Sequence, residues 1–556
     1  MKLSFNKMAA TVLIGALTFS SCAKKLEDAY QNPNANVRQP VEQIFPSLIG
    51  SITGSSSAAG SAYGLCGDGL LIGRYIQFWG TYNTGTAANG TSQYDKMGGT
   101  TDASDNMGSM WAAHYYGMGQ NLNRIVTWGT EEEKWDFVGA ALALRAWTLF
   151  EAANEYGDII LRDAFNQDLQ QFTYQGQAEI YDSVVSTCNS ALSYLNRTDG
   201  NQNAANFTNS DFFFNKGDKG KWKKFVYGIL ARLYAYQHNK STYQASQAYN
   251  YANLSCATNA DNITAKFQNT GITGTMNYFG AGRGNVNNTN TGIRQSAFIA
   301  DMMSGANPLV FTGVADPRRW YILRENPNGT FKGITPWLGT SGLVTADQPG
   351  SFSGTLYGSV GYLNPEGGRY IFRNDAEFPI MTASEMQFIK AEAALRMGDP
   401  TTARNDYING ISLSFDMLST GFATNVPVAN VITPATKAAY LADVNIVPAS
   451  PAGMTLTRIM CQKYIAMYGW GIQDVWCDMR RYHYTNLDPA TGQQVYPGFT
   501  PPSGSSLFSG NLGKLVYRCR PRYNSEYLYN IPALTAIGAY PTNNDYHTKE
   551  TWFSQP

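Results

Sequence analysis

The chain has 556 residues, and its 41 Lys plus Arg are balanced by 41 Asp plus Glu, for a formal net charge of zero. A neutral chain with no basic stripe excludes phosphate-backbone recognition as its main task, so no nucleic-acid partner is expected. The length is ample for a large hydrophobic core, which leaves little need for covalent staples.

In chain order, Lys2 and Lys7 precede an apolar run at 8–19 and then Ser20-Ser21-Cys22. The run matches a signal-peptide core and is too short to cross a bilayer of roughly 30 Å, which needs about 20 apolar residues. A cysteine directly after small residues is the acceptor pattern of a bacterial lipoprotein. Residues 1–21 are therefore expected to be a signal peptide, with Cys22 as the acylated first residue; the alternative is an ordinary secretory signal with an incidental cysteine. Several acyl chains on one cysteine anchor a protein stably. Residues 22–40, polar and broken by Asn and Pro, predict a flexible tether ahead of one domain at 41–556. The stretch 41–71 mixes Ile44, Phe45, Leu48 and Ile49 with Gly, Ser and Ala, and assigns no element.

Helical periodicity is clearest from residue 135 on. Trp135, Val138, Leu142, Ala146, Leu149 and Ala153 recur at spacings of three and four, and Ile180, Val184, Thr187, Ala191 and Leu195 mark a partner, giving a pair near 135–195. A second pair, near 222–252, starts with Trp222, Phe225, Ile229, Leu233 and Tyr236. The third, near 384–411, is read as a helix opened by a capping box of Ser384 and Gln387, stopped at Gly398-Asp399-Pro400, and followed by Ala403, Tyr407 and Ile411. A fourth spans 456–482, broken at Gly469-Trp470-Gly471. These are tetratricopeptide-like units, but starts at 135, 222, 384 and 456 are too uneven for a tandem array. The predicted fold class is mainly α: four helix pairs as scaffold, separated by long loop-rich insertions. The largest insertion, at about 253–380, is rich in Gly, Asn and Thr with scattered rings and has no convincing helical period. Such segments on a rigid scaffold are where binding usually sits.

The six cysteines after Cys22 (Cys66, Cys188, Cys256, Cys461, Cys477, Cys519) lie far apart with no C-x-x-C and are expected mostly as free buried thiols.

Several ordered motifs then carry a family resemblance: Asn32-Pro33-Asn34 after the lipoprotein start, ALALRAWTLFEAANEYGDIIL at 141–161, Asp316-Pro317-Arg318, MTASEMQFIKAEAALRMGD at 381–399, QKYIAMYGWGIQDVWCDMRRY at 462–482 and RPRYNSEYLYN at 520–530. With these the chain resembles the SusD/RagB family of nutrient-binding outer-membrane lipoproteins over nearly its whole mature length. Where family members often carry Tyr-Pro-x-x-Glu, this chain has Tyr523-Asn524-Ser525-Glu526. The resemblance implies lipid anchoring at the outer membrane, facing the cell exterior. It also implies partnership with a SusC-like TonB-dependent transporter and capture of oligosaccharide, or of peptide in some members. It carries over no fixed set of ligand residues.

Sugar recognition needs flat apolar faces for the C–H side of a pyranose, with amides or charges for its hydroxyls. Two stretches offer both, and the resemblance is the reason to join them. FWGTYNTGTAANGTSQYDK at 78–96 holds Trp79, Tyr82, Asn83, Asn89 and Tyr94; the insertion supplies Tyr278, Phe279, Arg283, Trp320 and Trp337. Any one of these rings, taken alone, reads as core before it reads as ligand-facing. An enzyme is not expected: there is no G-x-S-x-G, H-E-x-x-H or P-loop. A surface glycoside hydrolase stays as the lesser alternative, because Asp95, Asp102, Asp105, Glu366, Asp375 and Glu377 are candidates for a carboxylate pair defined only in space. An interaction scaffold that binds a partner protein is the third class. No cofactor is expected; a structural calcium at Asp95, Asp102 and Asp105 is the one metal site considered, although the spacing misses the EF-hand pattern.

Overall fold

The computed structural model of the protein describes residues 38–54, 64–82, 94–98, 107–166, 168–283, 286, 292–352, 367–504 and 507–556. Cys22, the signal peptide and nearly all of the tether lie outside the described residues, as do Asn83, Asn89, Asp102, Asp105 and Glu366.

Helices α1 (Val41–Gly50) and α2 (Leu65–Tyr75) occupy the stretch whose sequence assigns no element. Pro46 inside α1 and the glycines of α2 mask the helical pattern. A short strand β1 (Trp79–Thr81) follows, then α3 (Gln120–Glu131), α4 (Trp135–Tyr156) and α5 (Gln177–Asn196). Next come α6 (Lys219–Tyr236) and α7 (Ala245–Leu254). The insertion holds β2 (Ile263–Ala265), β3 (Ile293–Gln295) and the short helices Ala297–Ser304 and Arg319–Ile322, and closes with β4 (Phe378–Met381). Four further helices complete the scaffold: α8 (Ala383–Arg396), α9 (Pro400–Gly421), α10 (Leu456–Ala466) and α11 (Ile472–Arg481).

The architecture is mainly helical, as expected. Helix α4 packs on α5, α6 on α7 and α8 on α9, and the pairs stack through α4 on α6 and α7 on α8. The fourth unit divides its loyalties: α10 lies on α8 and α9, and α11 on α2, α4 and α6. Helix α4 is buried at nearly every position, which is why its apolar and small residues run all the way round it. The only sheets among the described residues are two-stranded antiparallel ribbons, β1 with β3 and β2 with β4.

The third pair starts differently from the sequence expectation. The N-cap is Thr382, whose hydroxyl accepts from Glu385 N at 3.2 Å, because β4 ends at Met381 and the chain turns into α8 at once. Ser384 instead points across the pair and donates to Gly410 O on α9 at 2.7 Å. The stop at Gly398-Asp399-Pro400 is as read: α8 ends at Arg396, Asp399 accepts from Thr402 N at 3.0 Å, and Pro400 fills the first position of α9.

Buried charges lock the pairs together. Arg232 on α6 donates to both oxygens of Glu385 on α8 and lies 3.1 Å from Asp474 on α11. One α8 heptad further on, Glu392 receives Arg481 of α11, which also meets Asp478, itself paired with Lys463 of α10 at 2.8 Å. The insertion is anchored the same way. Arg318 of the Asp316-Pro317-Arg318 motif is fully buried and donates to Asp316, to Ser414 on α9 and to Gln462 on α10. Breaking such a pair from one side costs about 3–5 kcal/mol, because it strands the other charge away from water.

The cysteines Cys66, Cys188, Cys256, Cys461, Cys477 and Cys519 are all buried and free of disulfides. Among the described residues no helix is long and apolar enough to cross a membrane.

Candidate ligand-binding site

The β1–β3 ribbon pairs Trp79 with Gln295, Gly80 with Arg294 and Thr81 with Ile293. Side chains alternate along a strand, so Trp79, Thr81, Ile293 and Gln295 share one face and Gly80, Arg294 and Tyr82 share the other. The first face is core: all four are buried. Trp79 is fully buried, its Nε1 donating to Leu70 O at 3.0 Å and its ring seated on Gly73 of α2, where a Cβ would come within 2.5 Å of the ring. Trp79 is therefore the footing of the ribbon and offers no face to a ligand.

Gln295 stitches the insertion to this ribbon, donating to Arg324 O (2.7 Å) and Lys332 O (3.0 Å) and accepting from Arg324 N (2.8 Å). The chain then returns alongside β3, with Ile334 N bonded to Gln295 O and Ala297 N to Ile334 O. The turn at 335–339 sits on Gly80, where a Cβ would lie 2.7 Å from Pro336 Cα. Only a residue without a side chain lets the two backbones meet so closely. Beyond the turn, Thr340 donates to Tyr82 O from both its N and its Oγ1, each at 3.2 Å, and the Tyr82 hydroxyl donates to Gln348 Oε1 at 3.3 Å.

The two predicted stretches thus converge here. Tyr82 comes from the first and Trp337 from the second; both are half-buried, and Leu338 and Val344 beside them are exposed. Arg294, Thr340 and Gln348 complete the arrangement and were not singled out in the sequence. The Gly-Ile-Arg-Gln alternation at 292–295, reading as a short strand, was the signal that could have found Arg294.

The other expected residues lie elsewhere. Tyr94 is buried under the Arg74 guanidinium, 4.4 Å from its ring centroid, and burial holds the Arg74 pKa down at about 10. Phe279 is fully buried, stacked on Phe378 of β4 with ring centroids 5.8 Å apart; burying a ring of that size contributes roughly 1.5–3 kcal/mol. Tyr278 is buried beside it, with Arg283 5.9 Å from its ring centroid and Arg283 Nη2 donating to Gly54 O. Trp320 is half-buried, edge-on to Phe331 at 4.8 Å with Arg319 against its ring. Hydrophobic burial explains these placements: Trp79, Tyr278 and Phe279 hold the insertion to the scaffold, Tyr94 packs on Tyr75 and Arg74 of α2, and Trp320 packs the insertion on itself.

A cavity of about 340 Å³ lies between β2, β4 and the end of α9, lined by Lys221, Lys266, Arg373, Asp375 and Glu377 together with Phe214 and Phe422. Its carboxylates are engaged, Asp375 by Arg373 at 2.8 Å and Glu377 by the Thr264 hydroxyl at 2.7 Å. Its rings, Phe214 and Phe422, are buried, whereas Tyr82 and Trp337 are half-buried, so the ribbon and its turn are the better fit to the flat face of a sugar. Asp95 accepts from Phe508 N (3.0 Å) and Asn511 Nδ2 (2.9 Å), a protein cap on the carboxylate expected for calcium. Among the described residues no cluster of three or more His, Cys, Asp or Glu side chains is placed to hold a metal ion.

The overall fold recurs among solved structures. A chitin-binding SusD homolog from Flavobacterium johnsoniae matches with 19% identity over 92% of this chain and 98% of its own, at a TM-score of 0.65. A SusD homolog from Bacteroides uniformis matches with 19% identity over 93% and 99%, at 0.65. A SusD/RagB family protein from Bacteroides thetaiotaomicron matches with 18% identity over 93% and 99%, at 0.62. No curated protein matches the sequence. The SusD-like family profile, described as starch-binding and associating with the outer membrane, matches residues 69–500, which takes in the β1–β3 ribbon, the insertion and the helix pairs. On that match the chain belongs to the SusD-like family of outer-membrane nutrient-binding proteins.

Proposed function

We propose that the protein is a cell-surface lipoprotein, held by an acylated Cys22, that captures oligosaccharide and delivers it to a SusC-like TonB-dependent transporter without chemically altering it. The observation that carries this reading is the meeting of two distant stretches at Tyr82, whose carbonyl accepts from Thr340 and whose hydroxyl donates to Gln348, both shortly after Trp337 in the chain. Rings of this kind lie against the C–H face of a sugar while amide and hydroxyl groups bind its edge. Affinity per sugar unit is expected to be modest, so capture depends on an extended ligand. A SusD homolog described as chitin-binding and a family described as starch-binding set the first probes.

The test is a glycan array, with oligopeptides included, read with the full-length chain in detergent and with Tyr82→Ala and Trp337→Ala. Binding to at least one oligosaccharide class, reduced about tenfold or more in both variants, is the expected result. Unchanged binding in both variants rejects the site. Binding to peptides alone rejects the sugar.

A further inference from the structure

Arg294 is nearly inaccessible to water, at 1% exposure, yet it is poorly compensated. Four other deeply buried arginines, Arg232, Arg318, Arg369 and Arg481, each pair with a carboxylate, and Arg324, Arg480 and Arg520 instead donate to backbone carbonyls of distant segments. Among the described residues the Arg294 guanidinium makes one hydrogen bond, from Nη1 to the carbonyl of its own neighbour Ile293 at 2.9 Å. Among the described residues its Nε has no hydrogen-bond partner and no carboxylate forms an ion pair with it. Burial lowers its pKa to about 10, which leaves it charged at neutral pH. A buried charge without a counter-charge costs several kcal/mol, so such a residue points to an anion that arrives from outside.

Its position agrees. Arg294 is the register partner of Gly80, the residue on which Pro336 rests, and Trp337 is next in the chain. Its guanidinium carbon lies 5.1 Å from the centroid of the half-buried Tyr82 ring, which covers it. The hydroxyl of that ring is tied by a 3.3 Å bond to Gln348, long for an O–H···O contact, so the cover is lightly held.

We propose that this site takes an acidic oligosaccharide, with an oxyanion of one sugar unit, a uronate carboxylate or a sulfate ester, docking on Arg294 beside Tyr82. The planar guanidinium matches either group in a forked geometry that an ammonium cannot reproduce. The inference rests on the capture reading above and adds the charge of the ligand to it.

The experiment compares oligogalacturonate, its carboxyl-reduced neutral counterpart and a sulfated neutral oligosaccharide by titration calorimetry on the full-length chain in detergent. At least one charged probe is expected to bind about tenfold or more tighter than the neutral one, and which charged probe binds tells carboxylate from sulfate. That ratio is expected to fall to about one in Arg294→Gln and to an intermediate value in Arg294→Lys, which keeps the charge without the fork. If Arg294→Gln does not fold, the charged-to-neutral ratio of the native chain still decides. A ratio near one with all probes bound overturns the acidic-sugar inference and leaves capture intact. Failure of every oligosaccharide, on the array and in the calorimeter, overturns capture itself.

Discussion

Arg232 on α6 and Glu385 on α8, 153 residues apart in the chain, meet through paired hydrogen bonds of 2.7 and 2.8 Å with both side chains sealed from water. Arg232 also donates to Ile380 O at 2.7 Å, fixing the end of β4 just before α8 begins. This is the joint between two helix pairs and the last strand of the insertion, so the scaffold and the loop that carries the site are locked at one point.

Glu385→Ala removes one side of this joint and leaves Arg232 with Asp474 and Glu151 as its remaining counter-charges. The variant is expected to lose about 3–5 kcal/mol of stability, read as a lower urea midpoint at unchanged slope. A loss below about 1 kcal/mol shows that the other carboxylates suffice.

Arg318→Ala strands Asp316 in the core, with Tyr440 as its remaining hydroxyl donor at 2.8 Å. Because Arg318 joins the insertion to α9 and α10, the expected loss is again about 3–5 kcal/mol, accompanied by faster proteolysis within 253–380 than within the helix pairs. Uniform cleavage of both regions counts against the anchoring role.

Asp211 is fully buried; it accepts from Gly217 N, Asn215 N and Trp222 Nε1, yet burial raises its pKa from an ordinary 3.8 to about 7. An acid whose folded-state pKa exceeds its unfolded value binds its proton more tightly when folded. Its contribution to stability is therefore complete below about pH 4 and is lost as pH rises through 7. Asp211→Asn, which cannot titrate, is expected to remove a slope of up to about 1.4 kcal/mol per pH unit across that window. Parallel stability curves for the two proteins over pH 4–7 show that Asp211 is ionised throughout.

Gly80→Ala places a methyl group against Pro336 Cα, a backbone atom that cannot swing aside as a side chain does. The turn at 335–339 must move, carrying Trp337 with it. Oligosaccharide affinity is expected to fall about tenfold or more while the melting temperature changes by only a few degrees. Native affinity in this variant separates the turn from binding.

Local signals were legible where their cause is local. The spacing of Trp135, Val138, Leu142 and Ala146 marked α4, and Gly398-Asp399-Pro400 marked the turn between α8 and α9, because periodicity and capping depend on a few neighbouring residues. Ser384 shows the limit: Thr382 and Ser384 both suit an N-cap, and the choice fell to Thr382 only because β4 ends at Met381 through its pairing with Ile263, more than a hundred residues away. The site was half legible. The two stretches do meet, through the bonds of Tyr82 to Thr340 and Gln348, but Trp79, Tyr94, Tyr278 and Phe279 went to the core.

The sequence by itself determined a neutral, mainly helical chain of interrupted helix pairs with a lipoprotein-like start and two ring-rich stretches. Those properties follow from composition, from repeat spacing and from short motifs. Only the tertiary structure decided which rings stay in reach of water and which charges lack partners. An aromatic residue reads the same in a core as on a surface, and an arginine reads the same with a carboxylate beside it as without. The difference lies in contacts between segments far apart in the chain, such as Gly80 under Pro336 and Arg294 under Tyr82.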